Sequence, residues 1–170
     1  MSSQARKLSD ALLRRWCASV TGEVLSIGSA SDLDGNGHTY RSYFTAASRY
    51  VTSEVRPTQD ADLVLDVRAM PSIADASFDA IFCSGVLEHV DDCHAAVDEC
   101  HRVLKPGGRF LVGVPFQQKI HRSPQDFWRF TEFGVRYLLR AFDIKSIQAI
   151  GPDLKFPWTY WVYATKPVTQ

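Results

Sequence analysis

Apolar and polar residues alternate along this chain with a period that changes repeatedly, and the changes mark out helices and strands. Between residues 4 and 20, Leu8, Leu12, Trp16 and Val20 recur at helical spacing, with Arg6, Lys7, Arg14 and Arg15 on the flanks. This predicts an amphipathic helix. Thr21-Gly22 ends it, and residues 23–28 (EVLSIG) read as a short buried strand. Residues 29–39 are small or polar and predict a loop, with a short helix over 40–48. The runs 49–55 (RYVTSEV), 62–67 (DLVLDV) and 78–83 (FDAIFC) predict strands two to four, each bounded by turn residues. Asp91 or Asp92 can cap the next helix, whose apolar positions 93, 96, 97, 100, 103 and 104 share one face. Pro106-Gly107-Gly108 is expected to stop it, because proline cannot continue a helix and glycine accepts the reversed dihedrals of an exit. Residues 109–115 predict strand five, followed by a polar loop and a helix near 131–141. Residues 144–150 and 159–165 predict the last two strands.

Strands alternating with helices imply a parallel sheet. The last two strands have only a loop between them, containing Gly151-Pro152 and Pro157, so that pair is expected to be antiparallel. The 170 residues, 45% apolar and 22% charged, suit a single α/β domain over 1–170 with a core of its own. Nineteen basic and nineteen acidic side chains balance, which gives no charge-based expectation of a nucleic-acid or anionic membrane partner. No apolar run approaches the roughly 18 residues of a membrane span, and the first residues lack a signal-peptide core. A cytoplasmic protein is expected. Cys17, Cys83, Cys93 and Cys100 form no C-x-x-C pair, and disulfides are not expected in that compartment. Cys93-His94 and Cys100-His101 resemble metal ligands, but seven residues is two helical turns, about 10 Å of rise. Residues 32–37 begin like an EF-hand loop, yet its twelfth position is Tyr43 rather than a bidentate Glu. A glycine-rich turn, and no metal, is expected.

In an open parallel sheet, ligands bind beyond the carboxyl ends of the strands. Gly28, Glu54, Asp66 and Ser84 fall at those ends. Between 78 and 116 the chain reads strand, Leu87-Glu88-His89, helix, Leu104-Lys105-Pro106-Gly107-Gly108, strand. Together with the glycine turn, the acid after strand two and the Asp after strand three, this resembles the class I S-adenosylmethionine-dependent methyltransferases, a small methyltransferase-11-like subgroup, from about residue 23 to 166. The resemblance implies a three-layer Rossmann-like sandwich with a mostly parallel seven-stranded sheet, one antiparallel strand, and the order 3-2-1-4-5-7-6. It implies S-adenosylmethionine lying across Gly28, Ser29, Glu54, Asp66, Val67 and Ser84. Glu54 would accept both ribose hydroxyls, Asp66 the adenine amino group, and the Val67 N–H would read a ring nitrogen.

The glycine motif departs from the family pattern. Where the family has an acid that helps place the methionine amine, this chain has Ser26; the second glycine is Ala30 and the third is Asp32. The spacing also argues against a nicotinamide dehydrogenase or dinucleotide binder. A loop with Tyr40-Arg41-Ser42-Tyr43-Phe44, then Pro115, Phe116, His121 and the run Asp126-Phe127-Trp128-Arg129-Phe130-Thr131, resembles a subgroup found among glycan and polysaccharide biosynthesis enzymes. That implies a small-molecule acceptor, a hydroxyl of a sugar or glycan precursor, bound under the 117–130 loop by Tyr40, Arg41, Asp126, Trp128 and Arg129. The loop also carries Lys119 and Arg122. A hydroxyl acceptor must lose its proton, and histidine suits that near neutral pH; the candidates are His121 and His89. Asp126 and Arg129 also fit a salt bridge that pins the loop. An exposed Trp158 or Trp161 would offer a sugar-stacking wall or a homodimer contact. The alternative to an enzyme is a non-catalytic subunit or binding module of this fold that supports a partner protein.

Overall fold

The computed structural model describes residues 3–29, 31–34, 36–121 and 125–168; Ala30, Gly35 and Arg122 lie outside them. In chain order the elements are α1 (Ser3–Cys17), β1 (Gly22–Ile27), a 3-10 turn (Tyr40–Tyr43), β2 (Ala47–Glu54), β3 (Leu63–Val64) and β4 (Phe78–Ser84). Then come a 3-10 turn (Leu87–His89), α2 (Cys93–Val103), β5 (Leu104–Pro115), α3 (Glu132–Leu138), β6 (Asp143–Ile150) and β7 (Thr159–Thr165). The strands form one sheet in the order β3-β2-β1-β4-β5-β7-β6. Pairing is parallel from β3 through β5, while β7 runs antiparallel to both β5 and β6.

The period-2 alternation of β4 separates two cores. Ile81 and Cys83 face one side, with Phe110, Val112 and Val114 of β5, and are covered by Ala96, Val97, Cys100 and Val103 of α2 and by Val135 and Leu138 of α3. Ala80 and Phe82 face the other, where Leu13, Trp16 and Cys17 of α1 and Val20 just beyond it pack with Tyr43, Phe44 and Tyr50. The apolar stripe predicted for α2 is thus its buried face, whereas that of α1 is turned: Leu13, Trp16 and Cys17 are buried, Leu12 is half-buried and Leu8 is exposed. All four cysteines are free and buried, and burial pushes the Cys17 and Cys93 thiols up to about 12, which makes them inert small hydrophobes.

Local chemistry moves several predicted boundaries. α2 ends at Val103, before Pro106-Gly107-Gly108, with Leu104 already extended at φ −75° and ψ 139°. Proline crowds the residue ahead of it out of helical space, so its influence reaches back. Leu104 pairs with Phe78, and a register shift between Phe78 and Ala80 absorbs the segment before Arg109. β3 is two residues long because side chains replace ladder bonds on either side of it: the Asp62 carboxylate accepts from the Thr52 N–H (2.8 Å) and hydroxyl (2.9 Å). After β3, Asp66 turns the chain by accepting from the Arg68 N–H at 2.9 Å. The predicted helix over 40–48 is a single 3-10 turn, and α3 is shorter than expected.

Trp161 corrects the expectation of an exposed ring. It is 4% exposed, its Nε1 donates to Ser9 Oγ at 3.0 Å, and it passes directly over Gly113. A Cβ on Gly113 would lie 2.6 Å from the indole. Gly113→Ala is therefore expected to cost about 1–3 kcal/mol by overpacking, read as a lower denaturation midpoint at unchanged m-value.

Candidate active site

Three chambers open at the carboxyl ends of β1, β2 and β4. The largest, about 520 Å³, is lined by Gly28, Glu54, Asp66, Val67, Val86 and His89 among others. The second, about 180 Å³, lies between the β1 turn and the 3-10 segment and includes Ser26, Gly28, Ser29, Asp32, Tyr40 and Ser84. The third, about 290 Å³, opens under α1 and the β5 loop and includes Asp10, Tyr43, Glu88, His121, Trp158 and Trp161. They share walls: Gly28 belongs to the first two, Ser84 and Tyr40 to the second and third, and Gly85 to the first and third.

The turn after β1 depends on Gly28, whose φ is +64° and whose Cβ position lies 2.4 Å from Val86 Cγ2. A side chain there would be strained and would press into the wall between two chambers. Ser29 ties the turn to β2. Its N–H donates to Ser53 O (3.1 Å), its hydroxyl to Ser26 O (3.1 Å), and the hydroxyl accepts from Ser53 N (3.2 Å).

Glu54 stands at the end of β2, held there by backbone pairing to Val64 and by the Leu65 N–H donating to its carbonyl at 2.9 Å. Asp66 lines the same chamber, but its carboxylate is gripped by Arg68, with Nε at 3.1 and 3.2 Å and Nη2 at 2.6 Å. Arg68 also reaches Asp91 at 2.7 Å. These bonds hold the Asp66 carboxyl below its usual range. With the Arg68 N–H they occupy most of its acceptor sites.

In the third chamber, the 3-10 turn after β4 buries Glu88 to 3% exposure, and its Oε2 has no hydrogen-bond partner among the described residues. Burial pushes this carboxyl up, against its own backbone N–H and the nearby His89, His121 and Arg129. Glu88, His89 and His121 each present one potential ligand atom within 4.8 Å of the others, and so do Asp10, Asp34 and His38. The two rings of His89 and His121 sit edge to face, 4.8 Å apart. His121 Nδ1 lies 3.2 Å from Lys119 O. A carbonyl can only accept, so Nδ1 carries the hydrogen and Nε2 is the basic nitrogen. His89 Nδ1 is fixed in the same way by Gln125 O, but His89 lines the first chamber rather than the third.

The 117–130 segment is braced by an ion pair. Arg129 grips Asp126 at 2.5 and 2.8 Å, and Asp126 accepts from the His121 N–H at 2.7 Å. Arg129 holds the Asp126 carboxyl well below its usual range, and its other contacts are the carbonyls of Gln118, Lys119 and Trp128. Asp126 and Arg129 thus position His121 and line none of the three chambers. Trp128 donates from Nε1 to Val90 O at 2.7 Å and also lies outside them. Arg41 turns away, toward Asp62 (3.9 Å) and over the Tyr50 ring. Of the residues expected to bind acceptor, Tyr40 is the one in a chamber wall, its ring 4.7 Å from that of Phe82.

The segment that begins like an EF-hand is a turn within its described residues: Asp34 Oδ1 accepts from the N–H groups of Asn36 (2.7 Å) and His38 (2.9 Å), and Oδ2 from the Tyr43 hydroxyl. Burial would raise the Asp34 carboxyl, but these bonds outweigh it and hold it near 2.

Residues 34–112 match the family model of a methyltransferase domain. The fold is shared with the 1,6-didemethyltoxoflavin-N1-methyltransferase of Burkholderia thailandensis, solved with S-adenosylhomocysteine, at a TM-score of 0.72 and 19% identity, covering 96% of this chain and 78% of that one. Residues 34–112 are thus similar to a methyltransferase domain, and the chain shares the fold of S-adenosylmethionine-dependent methyltransferases. The N-methyltransferase NodS of Bradyrhizobium japonicum superposes with a TM-score of 0.72 at 16% identity, over 98% of both chains. Among curated proteins, the ubiquinone biosynthesis O-methyltransferase of Pseudomonas paraeruginosa is 31% identical over 133 residues, 78% of this chain and 47% of that protein. That of Psychrobacter cryohalolentis is 34% identical over 79 residues, 46% of this chain and 28% of the relative. The chain spans about half or less of the length of these curated relatives. The [4+2]-cyclase SpnF has the same fold, with a TM-score of 0.73 at 16% identity, over 96% of this chain and 81% of that one.

Sequence reasoning did not single out Glu88 or Arg68. A charged residue between Leu87 and His89 carries no mark of burial, and Arg68 two residues beyond Asp66 reads as an ordinary turn cation. The available signal for Arg68 was its i,i+2 spacing, with a short turn between.

Proposed function

We propose that this chain transfers a methyl group from S-adenosylmethionine to an oxygen of a small hydroxylated molecule. The observation that carries this reading is the meeting of three chambers around Gly28, Ser84, Gly85 and Tyr40. A sulfonium has three arms, and here each arm has a compartment: adenosine in the largest, the amino-acid arm in the smallest, and the methyl group toward the chamber of His121. When bound, the cofactor supplies an electrophilic methyl carbon. The chain supplies position and proton removal.

In this reading the Glu54 carboxylate takes the ribose hydroxyls and the Val67 backbone faces the base. Ser84 and Tyr40 separate the amino-acid arm from the acceptor. His121, oriented through Nδ1, accepts the acceptor's hydroxyl proton on Nε2, and the buried Glu88 carboxylate stabilises the imidazolium that results. Asp126 and Arg129 fix the histidine's backbone. The ubiquinone-pathway relatives are named as O-methyltransferases, which favours a hydroxyl. Half-buried Trp158 in the chamber wall suits stacking on a flat ring or a sugar face.

Radiolabelled methyl transfer to panels of phenolic, sugar and amine acceptors tests this. Incorporation into a hydroxyl that His121→Ala reduces by about a hundredfold supports the reading; methylation confined to amines removes the base chemistry. The grip of Arg68 on Asp66 favours a second reading, a cofactor-poor subunit that supports a partner. It also yields a prediction. Breaking an exposed ion pair costs about 1 kcal/mol or less, so Arg68→Ala is expected to tighten S-adenosylhomocysteine binding up to about fivefold, as measured by calorimetry. Weaker binding would mean that Arg68 itself contacts the cofactor.

A further inference from the structure

The smallest chamber, about 180 Å³, lies against the turn after β1. Among its described lining residues Asp32 is the one formal charge; the others are serines, glycine, aromatic and aliphatic groups. Asp32 adopts φ +48°, a left-handed conformation uncommon outside glycine but several-fold enriched in aspartate. The backbone is held in that state from both sides. Its N–H donates to Ser29 O at 3.0 Å, and its carbonyl accepts from Tyr40 N at 2.7 Å. The carboxylate is fixed as well, with Oδ1 accepting from the Tyr50 hydroxyl at 2.8 Å and Oδ2 from the Arg41 N–H at 2.9 Å. Each oxygen therefore keeps acceptor capacity while its position is set.

Beside it, Ser26 is 1% exposed and lines the same chamber, and its hydroxyl, near Tyr50, has no partner at hydrogen-bonding geometry among the described residues. A buried hydroxyl left unmatched is costly, and such atoms in native structures call for an explanation. A ligand that places polar atoms in this chamber would supply one.

We infer that Asp32 is the binding group for a primary ammonium, the amine of the cofactor's amino-acid arm, in place of the acid missing at position 26. The inference rests on the methyl-transfer reading for the identity of the ligand. Chemically, an ammonium brings three donors and a positive charge and requires oxygen acceptors. The chamber offers a preset carboxylate, the Ser26 hydroxyl and the Ser84 hydroxyl in its walls. The loss of one acid from strand β1 and the gain of another six residues later, where the family has glycine, are then a single exchange. The left-handed backbone that a glycine would have supplied is kept by aspartate, which tolerates it.

The test compares three ligands by calorimetry. S-adenosylhomocysteine carries the amine; its desamino analogue lacks that group alone; methylthioadenosine lacks the whole amino-acid arm. On the unaltered protein, the desamino analogue is expected to bind at least about tenfold more weakly than S-adenosylhomocysteine, the scale of a hydrogen-bonded charge. Asp32→Asn is expected to remove that difference while leaving methylthioadenosine affinity within about twofold, and adding Ser26→Asp to Asp32→Asn is expected to restore it. Equal affinity of the unaltered protein for S-adenosylhomocysteine and its desamino analogue overturns the inference, whether or not any variant folds. So does an Asp32→Asn variant that weakens all three ligands alike, since Asp32 then only shapes the loop. Failure of a folded protein to bind even methylthioadenosine refutes the cofactor reading, and the inference with it; binding of methylthioadenosine without any amine effect refutes the inference alone.

Discussion

Glu54→Ala is expected to weaken S-adenosylhomocysteine binding by more than a hundredfold while leaving the fold intact. The residue ends β2 in the wall of the 520 Å³ chamber, and the backbone bonds that place it, to Val64 and Leu65, do not involve its side chain. A carboxylate presents two acceptor oxygens side by side, which matches the spacing of a vicinal diol. Hydrogen bonds to a charged group contribute about 1.5–3 kcal/mol each, so losing two at the lower figure is about 3 kcal/mol, a factor of more than a hundred. A half-exposed strand end contributes little to folding, and the change in stability should stay within about 0.5 kcal/mol. Calorimetry paired with thermal melting separates the two effects. Unchanged affinity would mean that no diol is held there.

Glu88→Gln is expected to make the protein more stable near neutral pH and far less active. Burial raises the folded-state pKa of this carboxyl above its usual 4.5. As pH rises through 4.5, unfolded chains lose the proton and folded ones keep it. The folded state then binds more protons, stability falls with pH across the interval up to the raised value, and the deficit persists above it. Glutamine has no such deficit. The variant should therefore melt higher than the unaltered protein at about pH 8 and show no gain at about pH 4. Turnover should fall by roughly a hundredfold if the carboxylate supports the His121 imidazolium. A variant that is destabilised at both pH values, or stabilised with full turnover, contradicts this role. A site group that costs stability is the expected trade-off at a functional position.

Much of this architecture is legible in the residues. The strand order and the antiparallel last strand follow from alternating elements and the family motifs, and the ends of β1, β2 and β4 hold Gly28, Glu54 and Ser84 as expected. What could not be read depends on side chains that meet across the fold. β3 is short because Asp62 bonds to Thr52, ten residues away, and no local pattern encodes that exchange. The turn of Trp161 into the core requires Gly113 on the neighbouring strand and Ser9 on α1. Arg41 and Trp128 belong to motif-like runs, yet one is drawn off by Asp62 and the other by Val90 O. Motifs thus locate a loop more reliably than they locate the side chains it turns inward. The burial of Glu88 is of the same kind: adjacent Leu87 is 1% exposed and anchors the turn, and Glu88 is carried inward with it.

The central claim is that one sulfonium cofactor spans the three chambers. Calorimetric titration of the unaltered protein with S-adenosylhomocysteine, with NAD as the comparison, tests it most directly. The account predicts one-to-one binding in the micromolar range for S-adenosylhomocysteine and no heat with NAD. A folded protein that binds neither, or that prefers NAD, would contradict it.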